Sequence, residues 1–196
     1  MKRIIFATSN EGKMREIRAI MEDSGYEVVS LKEAGISIDV EENGTTFEEN
    51  AIIKASTIAK ATGELVLADD SGLEVDYMDK APGVYSARFL GEDTDYVIKN
   101  NYILEKLQGV PKEERSARFV CVIALSHPDG TCITRRATIE GYIGYEIRGE
   151  NGFGYDPIFM VDEYNKTTAE LSMEEKNQIS HRAKALHAIK EQLAKE

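Results

Sequence analysis

The sequence predicts an α/β fold built around a mixed β-sheet, and two observations point to it. Short apolar segments rich in β-branched residues alternate with helical patterns in the first part of the chain, as they do in βα units. Further on, His127-Pro128-Asp129-Gly130 has the composition of a hairpin turn between two strands. Because βα units give parallel strands and a hairpin gives antiparallel ones, the two together predict a sheet of mixed direction.

In the first part of the chain, apolar residues three and four positions apart indicate helices, and short apolar runs indicate strands. Ser9 or Asn10 is suited to cap the first helix, and Gly25, Gly63 and Gly109 are suited to end helices. The predicted order is strand 2–7, helix 11–23, strand 26–30, helix 46–62, strand 65–69 and helix 94–107.

The second part of the chain predicts strands at 116–126, 131–140 and 158–161, and a helical C-terminal region. The glycine-rich residues 141–154 predict a loop or short strands. Ser172 and Glu175 have the spacing of a capping box, so a helix is expected to begin there and to run, with a break near Ser180, toward the C-terminus.

Composition narrows the possible functions. The 196 residues fit one domain spanning 1–196, and 24 Lys and Arg against 35 acidic residues give a net charge of −11. This charge argues against broad nucleic-acid binding, and the lack of an apolar run of 18 residues argues against a membrane partner. Cys121 and Cys132 do not have a metal-ligand spacing, and no signal peptide is recognised, so we expect reduced cysteines in a cytoplasmic protein.

The acidic run after residue 68 is the most informative segment. An apolar strand is predicted to end at Asp69-Asp70-Ser71-Gly72, which would present two carboxylates beyond the sheet. Paired carboxylates in this position suit Mg²⁺ binding or general-base catalysis. The alternative is an ordinary turn, because Asp, Ser and Gly are typical turn residues.

Two other segments supply positive charge. Thr8 to Lys13 lies between the first strand and the first helix, where backbone N–H groups and a lysine favour a phosphate; the alternative is a plain helix cap with a solvated lysine. Lys54 lies within an apolar helix that follows Glu41-Glu42, so it needs an anionic partner unless its side chain extends to the surface.

Two segments near the C-terminus offer contacts for a nucleotide. Phe153-Gly154-Tyr155-Asp156-Pro157 could stack aromatic rings on a base, or could instead close an edge of the core. Lys176 and Ser180-His181-Arg182 could bind phosphate and base oxygens, or could instead form a solvated helix face. Together, the segments have the chemistry of a nucleoside triphosphate site.

In order along the chain, these segments resemble the inosine triphosphate pyrophosphatase family, the non-canonical purine NTP pyrophosphatases. The resemblance covers nearly the whole chain. It rests on Phe6-Ala7-Thr8-Ser9-Asn10-Glu11-Gly12-Lys13, Thr46-Phe47-Glu48-Glu49-Asn50-Ala51, Leu67 through Asp76, Ala81-Pro82-Gly83-Val84-Tyr85-Ser86-Ala87-Arg88-Phe89, Gly152-Phe153-Gly154-Tyr155-Asp156-Pro157 and Ser180-His181-Arg182.

The resemblance implies an elongated mixed β-sheet with flanking helices, and two lobes around a central nucleotide-binding cleft. It also implies a homodimer and a Mg²⁺-dependent hydrolysis of ITP, dITP and XTP to the monophosphate and pyrophosphate, which would cleanse the nucleotide pool. The nucleotide would be the partner molecule of the chain, and Mg²⁺ its cofactor.

The resemblance also implies a role for each site residue. Glu41 and Asp70 would bind Mg²⁺, and Asp70 would accept the proton of the attacking water with support from Asp69 and Lys54. Glu42 and Asp69 lie next to the chosen acids in the sequence, so they are alternative candidates for the metal ligands and for the base. The substrate would be bound by Thr8, Ser9, Asn10, Glu11, Gly12, Lys13, Ser71, Phe153, Gly154, Tyr155, Asp156, Lys176, His181 and Arg182.

Three other functions compete with this one. A sensor would bind the nucleotide without hydrolysing it, but it would need neither a base nor a metal pair. A pyrophosphatase for other modified nucleotides could share the fold class. A Nudix enzyme is disfavoured, because Arg15-Glu16-Ile17-Arg18 is not followed by the glutamate pair that its motif requires.

Overall fold

The computed structural model describes residues 2–195, and within them seven strands form one mixed sheet, accompanied by five α-helices. The strands are β1 (Lys2–Phe6), β2 (Tyr26–Ser30), β3 (Val66–Val75), β4 (Ser116–Ser126), β5 (Cys132–Ile143), β6 (Phe159–Val161) and β7 (Lys166–Thr167). The helices are α1 (Glu11–Met21), α2 (Phe47–Thr62), α3 (Tyr96–Lys106), α4 (Met173–Ile179) and α5 (His181–Leu193).

The sheet has the strand order β2-β1-β3-β4-β5-β6-β7. β1 pairs in parallel with β2 and β3, while β6 pairs in antiparallel with β5 and β7. β4 and β5 are neighbours joined by a short turn in which the N–H of His127 donates to the carbonyl of Thr131. The predicted α/β class, the mixed sheet and the hairpin are therefore confirmed.

Most helix boundaries follow from local signals. Asn10 caps α1, and Thr46 and Glu49 form a reciprocal capping box at the start of α2. Gly63 ends α2 in the left-handed conformation, with φ of 69°. The break predicted near Ser180 is confirmed, since α4 and α5 are separate helices.

The predicted end of β3 at residue 69 is wrong. β3 continues through Asp69, Asp70 and Ser71 to Val75, so the alternative of a turn is wrong as well. The strand can continue because cations from neighbouring helices compensate the carboxylates, which therefore do not have to leave the sheet to reach water.

Contacts within the chain define two compact units. One comprises the residues up to 71, residues 121–137 and the residues from 181 onward; its core includes Ile4, Phe6, Ile17 and Leu186. The other comprises residues 72–120 and 138–180, and its core includes Leu73, Phe119 and Phe159. The single domain over 1–196 and the nucleotide-binding cleft stay predictions.

Between Lys2 and Lys195, no helix has both the length and the apolar character needed to cross a membrane. Cys121 and Cys132 are both free thiols, as the sequence analysis expected, and Cys121 is buried.

Candidate active site

β3 presents its two adjacent carboxylates to opposite faces of the sheet, because successive side chains of a strand alternate. Asp69 is fully buried, and the hydroxyl of Ser71, two residues on and on the same face, donates to it at 2.6 Å. Asp70 lies on the other face and is only partly buried. Two neighbouring acids in the sequence therefore occupy two different environments.

Cations surround Asp69. The ammonium of Lys13 in α1 lies 3.0 Å from Asp69 Oδ2, and the guanidinium of Arg182 in α5 lies 3.3 Å from the same oxygen. Burial alone would raise the pKa of Asp69, but the charges of Lys13, Arg182 and Lys54 outweigh it and hold that pKa far below its usual range. Asp69 is thus a fixed anion that organises cations, and a poor proton acceptor.

Arg182 is buried at the start of α5 and connects two helices to β3. It forms an ion pair with Glu16 of α1, and its Nη2 donates to Ser71 Oγ at 3.1 Å. Burial would lower the pKa of Arg182, but the carboxylates of Glu16 and Asp69 outweigh that and raise it. The solvated helix face considered for this residue is therefore wrong, and Arg182 belongs to a buried charge network.

Asp70 has a different set of neighbours. Asn50 of α2 donates to Asp70 Oδ2 at 3.1 Å, while the N–H of Gly44 donates to the amide oxygen of Asn50 at 2.8 Å and fixes its orientation. Burial raises the pKa of Asp70 to about 6, with further contributions from Glu42 and Asp69, against the opposing effects of Asn50 and Lys54. Asp70 is therefore the acid whose protonation state changes close to neutral pH.

Lys54 of α2 lies beside both acids. Its ammonium forms an ion pair with Glu42 at 2.5 Å and donates to the backbone carbonyl of Asp69 at 3.0 Å. Burial would lower the pKa of Lys54, but the charges of Asp69, Glu42 and Asp70 outweigh it and raise the pKa. Lys54 thus has the anionic partners that its apolar helix requires and does not extend into bulk solvent.

The acids near Asp70 offer a divalent cation two carboxylates at most. Within residues 2–195, no group of three or more His, Cys, Asp or Glu side chains is arranged to hold a metal. Glu42 lies close enough to Asp70 to raise its pKa, whereas Glu41 is an exposed residue. Mg²⁺ commonly takes one or two carboxylates and completes its coordination with water and substrate phosphates, and two acids are enough for that.

The segment from Thr8 to Lys13 connects β1 to α1 and includes the first residues of α1. The side chain of Asn10 accepts the N–H of Lys13 at 3.0 Å, and the N–H of Asn10 donates to the hydroxyl of Thr8 at 3.1 Å. Ser9, Asn10 and Glu11 are exposed, while Gly12 and Lys13 are partly buried. The segment does contain a helix cap, but its lysine is bound to Asp69 and is not simply solvated.

The second compact unit contains a buried ion pair of its own. Lys176 Nζ lies 2.7 Å from Asp156 Oδ2, and the hydroxyl of Thr168 donates to Asp156 Oδ1 at 2.8 Å. The N–H of Phe153 also donates to Asp156, at 2.9 Å, and Lys176 lies over the Phe153 ring at 4.9 Å. Lys176 is therefore buried, and the solvated face considered for it is wrong.

The turn that contains Phe153 to Asp156 depends on glycine. Gly152 has φ of 72°, and a Cβ there would lie 2.2 Å from Asp156 Oδ2. Tyr155 is buried and donates its hydroxyl to the carbonyl of Ser86 at 2.6 Å, so it belongs to the core, while Phe153 is partly exposed.

His181, at the start of α5 in the first unit, is buried.

Comparisons with known proteins identify the family of this chain. The model of the Ham1 family matches residues 4–192. The chain belongs to the Ham1 family. A relative from Bacillus licheniformis named dITP/XTP pyrophosphatase is 53% identical over 189 residues, which cover 96% of each chain.

Solved Ham1 structures share the fold. The Ham1 protein of Staphylococcus aureus matches with a TM-score of 0.87 and 44% identity over 98% of each chain. The HAM1 protein of Coxiella burnetii matches with a TM-score of 0.90 and 41% identity over the full length of both chains. The family resemblance drawn from the sequence is confirmed, whereas the roles of the individual site residues stay predictions.

Two polar residues of the candidate site were given no role from the sequence. Glu16 is buried against Arg182, and Asn50 donates to Asp70. Glu16 falls on the row formed by Lys13, Ile17 and Ile20 at helical spacing, so an acid on a buried helix face was the available signal. Asn50 lies in a segment that carried the family resemblance, but no local pattern marked its role, because its partner Asp70 is 20 residues away.

Proposed function

We propose that this chain hydrolyses non-canonical purine nucleoside triphosphates, namely ITP, dITP and XTP, to the monophosphate and pyrophosphate. The names of its relatives support this substrate class. The observation that carries the proposal is the contrast between the two acids: Asp69 is fully buried and paired with Lys13 and Arg182, whereas Asp70 is partly exposed, accepts a hydrogen bond from Asn50 and has a pKa raised by burial to about 6. A general base is most effective when its pKa is close to the working pH.

In the proposed reaction, Asp70 orients a water molecule and takes its proton as the water oxygen bonds to the α-phosphorus. The bond from the α-phosphorus to the bridging oxygen breaks, and pyrophosphate leaves. The ammonium groups of Lys13 and Lys54 stabilise the negative charge on the phosphate oxygens. Asp69 keeps both lysines near the reacting groups, through its carboxylate and its backbone carbonyl respectively.

Asp70, together with Glu41 or the adjacent Glu42, would hold Mg²⁺. When bound, the ion would neutralise phosphate charge as a Lewis acid. The other predicted substrate contacts fall into three groups. Thr8 to Lys13 and Ser71 would contact the phosphates, and Phe153 to Asp156 would contact the base. Lys176, His181 and Arg182 would complete the contacts to the nucleotide. We also propose that the protein acts as a cytoplasmic homodimer whose partner is the nucleotide, without nucleic-acid or membrane partners.

The test is to incubate the purified protein with ITP, XTP, ATP and GTP, with and without Mg²⁺, and to separate the products by anion exchange. We expect IMP and XMP with pyrophosphate, only when Mg²⁺ is present. Diphosphate with inorganic phosphate would contradict the site of attack, and tight ITP binding without turnover would favour a sensor.

Asp70→Asn tests the base in the same assay. The substitution preserves shape and removes the proton acceptor, so turnover should fall by about 10² to 10⁴ in a folded protein. Asp93→Asn, at an exposed position, is the matched control and should retain wild-type turnover. Near-normal turnover of folded Asp70→Asn would exclude Asp70 as the base.

A further inference from the structure

Helix α3 contacts the segment Phe153–Asp156 through a buried amide. Asn100 is only 2% exposed, and its Nδ2 donates to the carbonyl of Gly154 at 3.1 Å. Its Oδ1 is also buried, and no hydrogen-bond partner for it is found among residues 2–195. A buried amide that leaves its acceptor unsatisfied is costly, so the bond to Gly154 is the polar contact that accounts for an asparagine at this position.

Tyr96, one helical turn before Asn100, contacts the same segment. Its ring meets the ring of Tyr155 edge to face, with centroids 5.2 Å apart. A Cβ on Gly154, which has φ of 66°, would come within 3.7 Å of the Tyr96 ring. α3 therefore contacts the middle of the segment with one polar and one aromatic side chain.

The two ends of the segment are fixed independently of α3. The carboxylate of Asp156 accepts the N–H of Phe153 and binds Lys176. Among the described residues, Asn100 is the one whose side chain donates a hydrogen bond to the Gly154 carbonyl. This carbonyl belongs to the planar peptide between Gly154 and Tyr155, so the bond from Asn100 also fixes the direction of the Tyr155 N–H and the path of the backbone through the segment.

We propose that Asn100 is a positioning residue that sets the shape of Phe153–Asp156 and thereby the selectivity of the enzyme for its base. The inference rests on the proposed function, which assigns that segment to the base. Contacts to the base are remote from the reacting α-phosphorus, so they contribute binding and discrimination more than they contribute to the chemical step.

Two variants separate this role from packing. Asn100→Leu keeps a similar side-chain volume but removes the hydrogen-bond donor. Asn100→Ala removes both the donor and most of the side-chain volume. Asn101→Ala is the matched control, because Asn101 is the next residue of α3 and is exposed. The measurements are kcat and KM for ITP, XTP and ATP, with circular dichroism and thermal unfolding to establish folding.

In folded Asn100→Leu, we expect KM for ITP and XTP to rise roughly five- to tenfold, the loss typical of one hydrogen bond. We expect kcat to stay within about twofold, because the reacting groups are untouched. The ratio of kcat/KM for ITP over ATP should fall, and Asn101→Ala should match the wild type.

Wild-type KM and selectivity in folded Asn100→Leu would overturn the inference. An equal fall of kcat for every substrate, or loss of folding in both Asn100 variants, would show a role in the fold alone and would overturn it as well. The proposed function fails separately, if the wild type and Asn101→Ala do not convert ITP to IMP.

Discussion

At the scale of single residues, the alternation of side chains along β3 explains how adjacent acids come to differ. Asp69 faces Lys13 and Arg182, whereas Asp70 faces Asn50. The sequence identified both acids as site residues. It could not assign their environments, because these depend on β3 continuing past residue 69 and on side chains up to 113 residues away.

The two acids should affect stability in opposite directions. Asp70→Asn, in the presence of EDTA, should stabilise the fold at pH 7 by on the order of 1–2 kcal/mol, a value discounted for the partial exposure of Asp70. The pKa of Asp70 rises from 3.8 to about 6 on folding. Ionisation of Asp70 therefore destabilises the folded state as the pH rises through that window. The stabilisation by Asp70→Asn should be absent at pH values below it.

Asp69→Asn should destabilise the fold by about 3–5 kcal/mol at pH 7, because it leaves buried cations without their shared anion. The folded pKa of Asp69 is lowered, so its contribution is present above the ordinary carboxyl pKa and is lost as the pH falls. Thermal unfolding of both variants and the wild type between pH 4 and 8 measures this. Stability changes of the same sign at pH 7 would contradict the assigned environments.

At the scale of elements, helix ends that are marked by capping residues could be predicted from the sequence. Strand ends that depend on pairing with neighbouring strands could not. Asn10, Gly63 and the Ser172 capping box mark helix ends in the sequence itself. β3 was predicted too short, because Asp, Ser and Gly disfavour strands and their tertiary partners are invisible locally. The two-residue strand β7 is too short to show a periodic pattern.

The capping box of α2 gives a prediction at this scale, since α2 carries both Asn50 and Lys54. Thr46→Ala removes the acceptor for the N–H of Glu49 and should cost about 1 kcal/mol of stability. Thr57→Ala, at an exposed position in the same helix, deletes the same atoms without a cap and is the control. Equal stability of the two variants in urea unfolding would show that the cap does not stabilise α2.

At the scale of the whole molecule, an acidic chain can bind a polyanion because its cations are concentrated locally. The net charge is −11, yet Lys13, Lys54 and Arg182 converge on one aspartate in the first compact unit. The sequence predicted the class of fold, the mixed sheet and the family, since these rest on patterns spread over the chain. The network joining Glu16, Arg182 and Asp69 could not be predicted, because it depends on the packing of α1 and α5.

The proposed mechanism is tested most directly by hydrolysis of ITP in water enriched in oxygen-18, with mass analysis of both products. In the proposed mechanism, the water activated by Asp70 attacks the α-phosphorus. The label should therefore enter the monophosphate, and pyrophosphate should stay unlabelled. Label in the pyrophosphate would place the attack on the β-phosphorus and would contradict the mechanism.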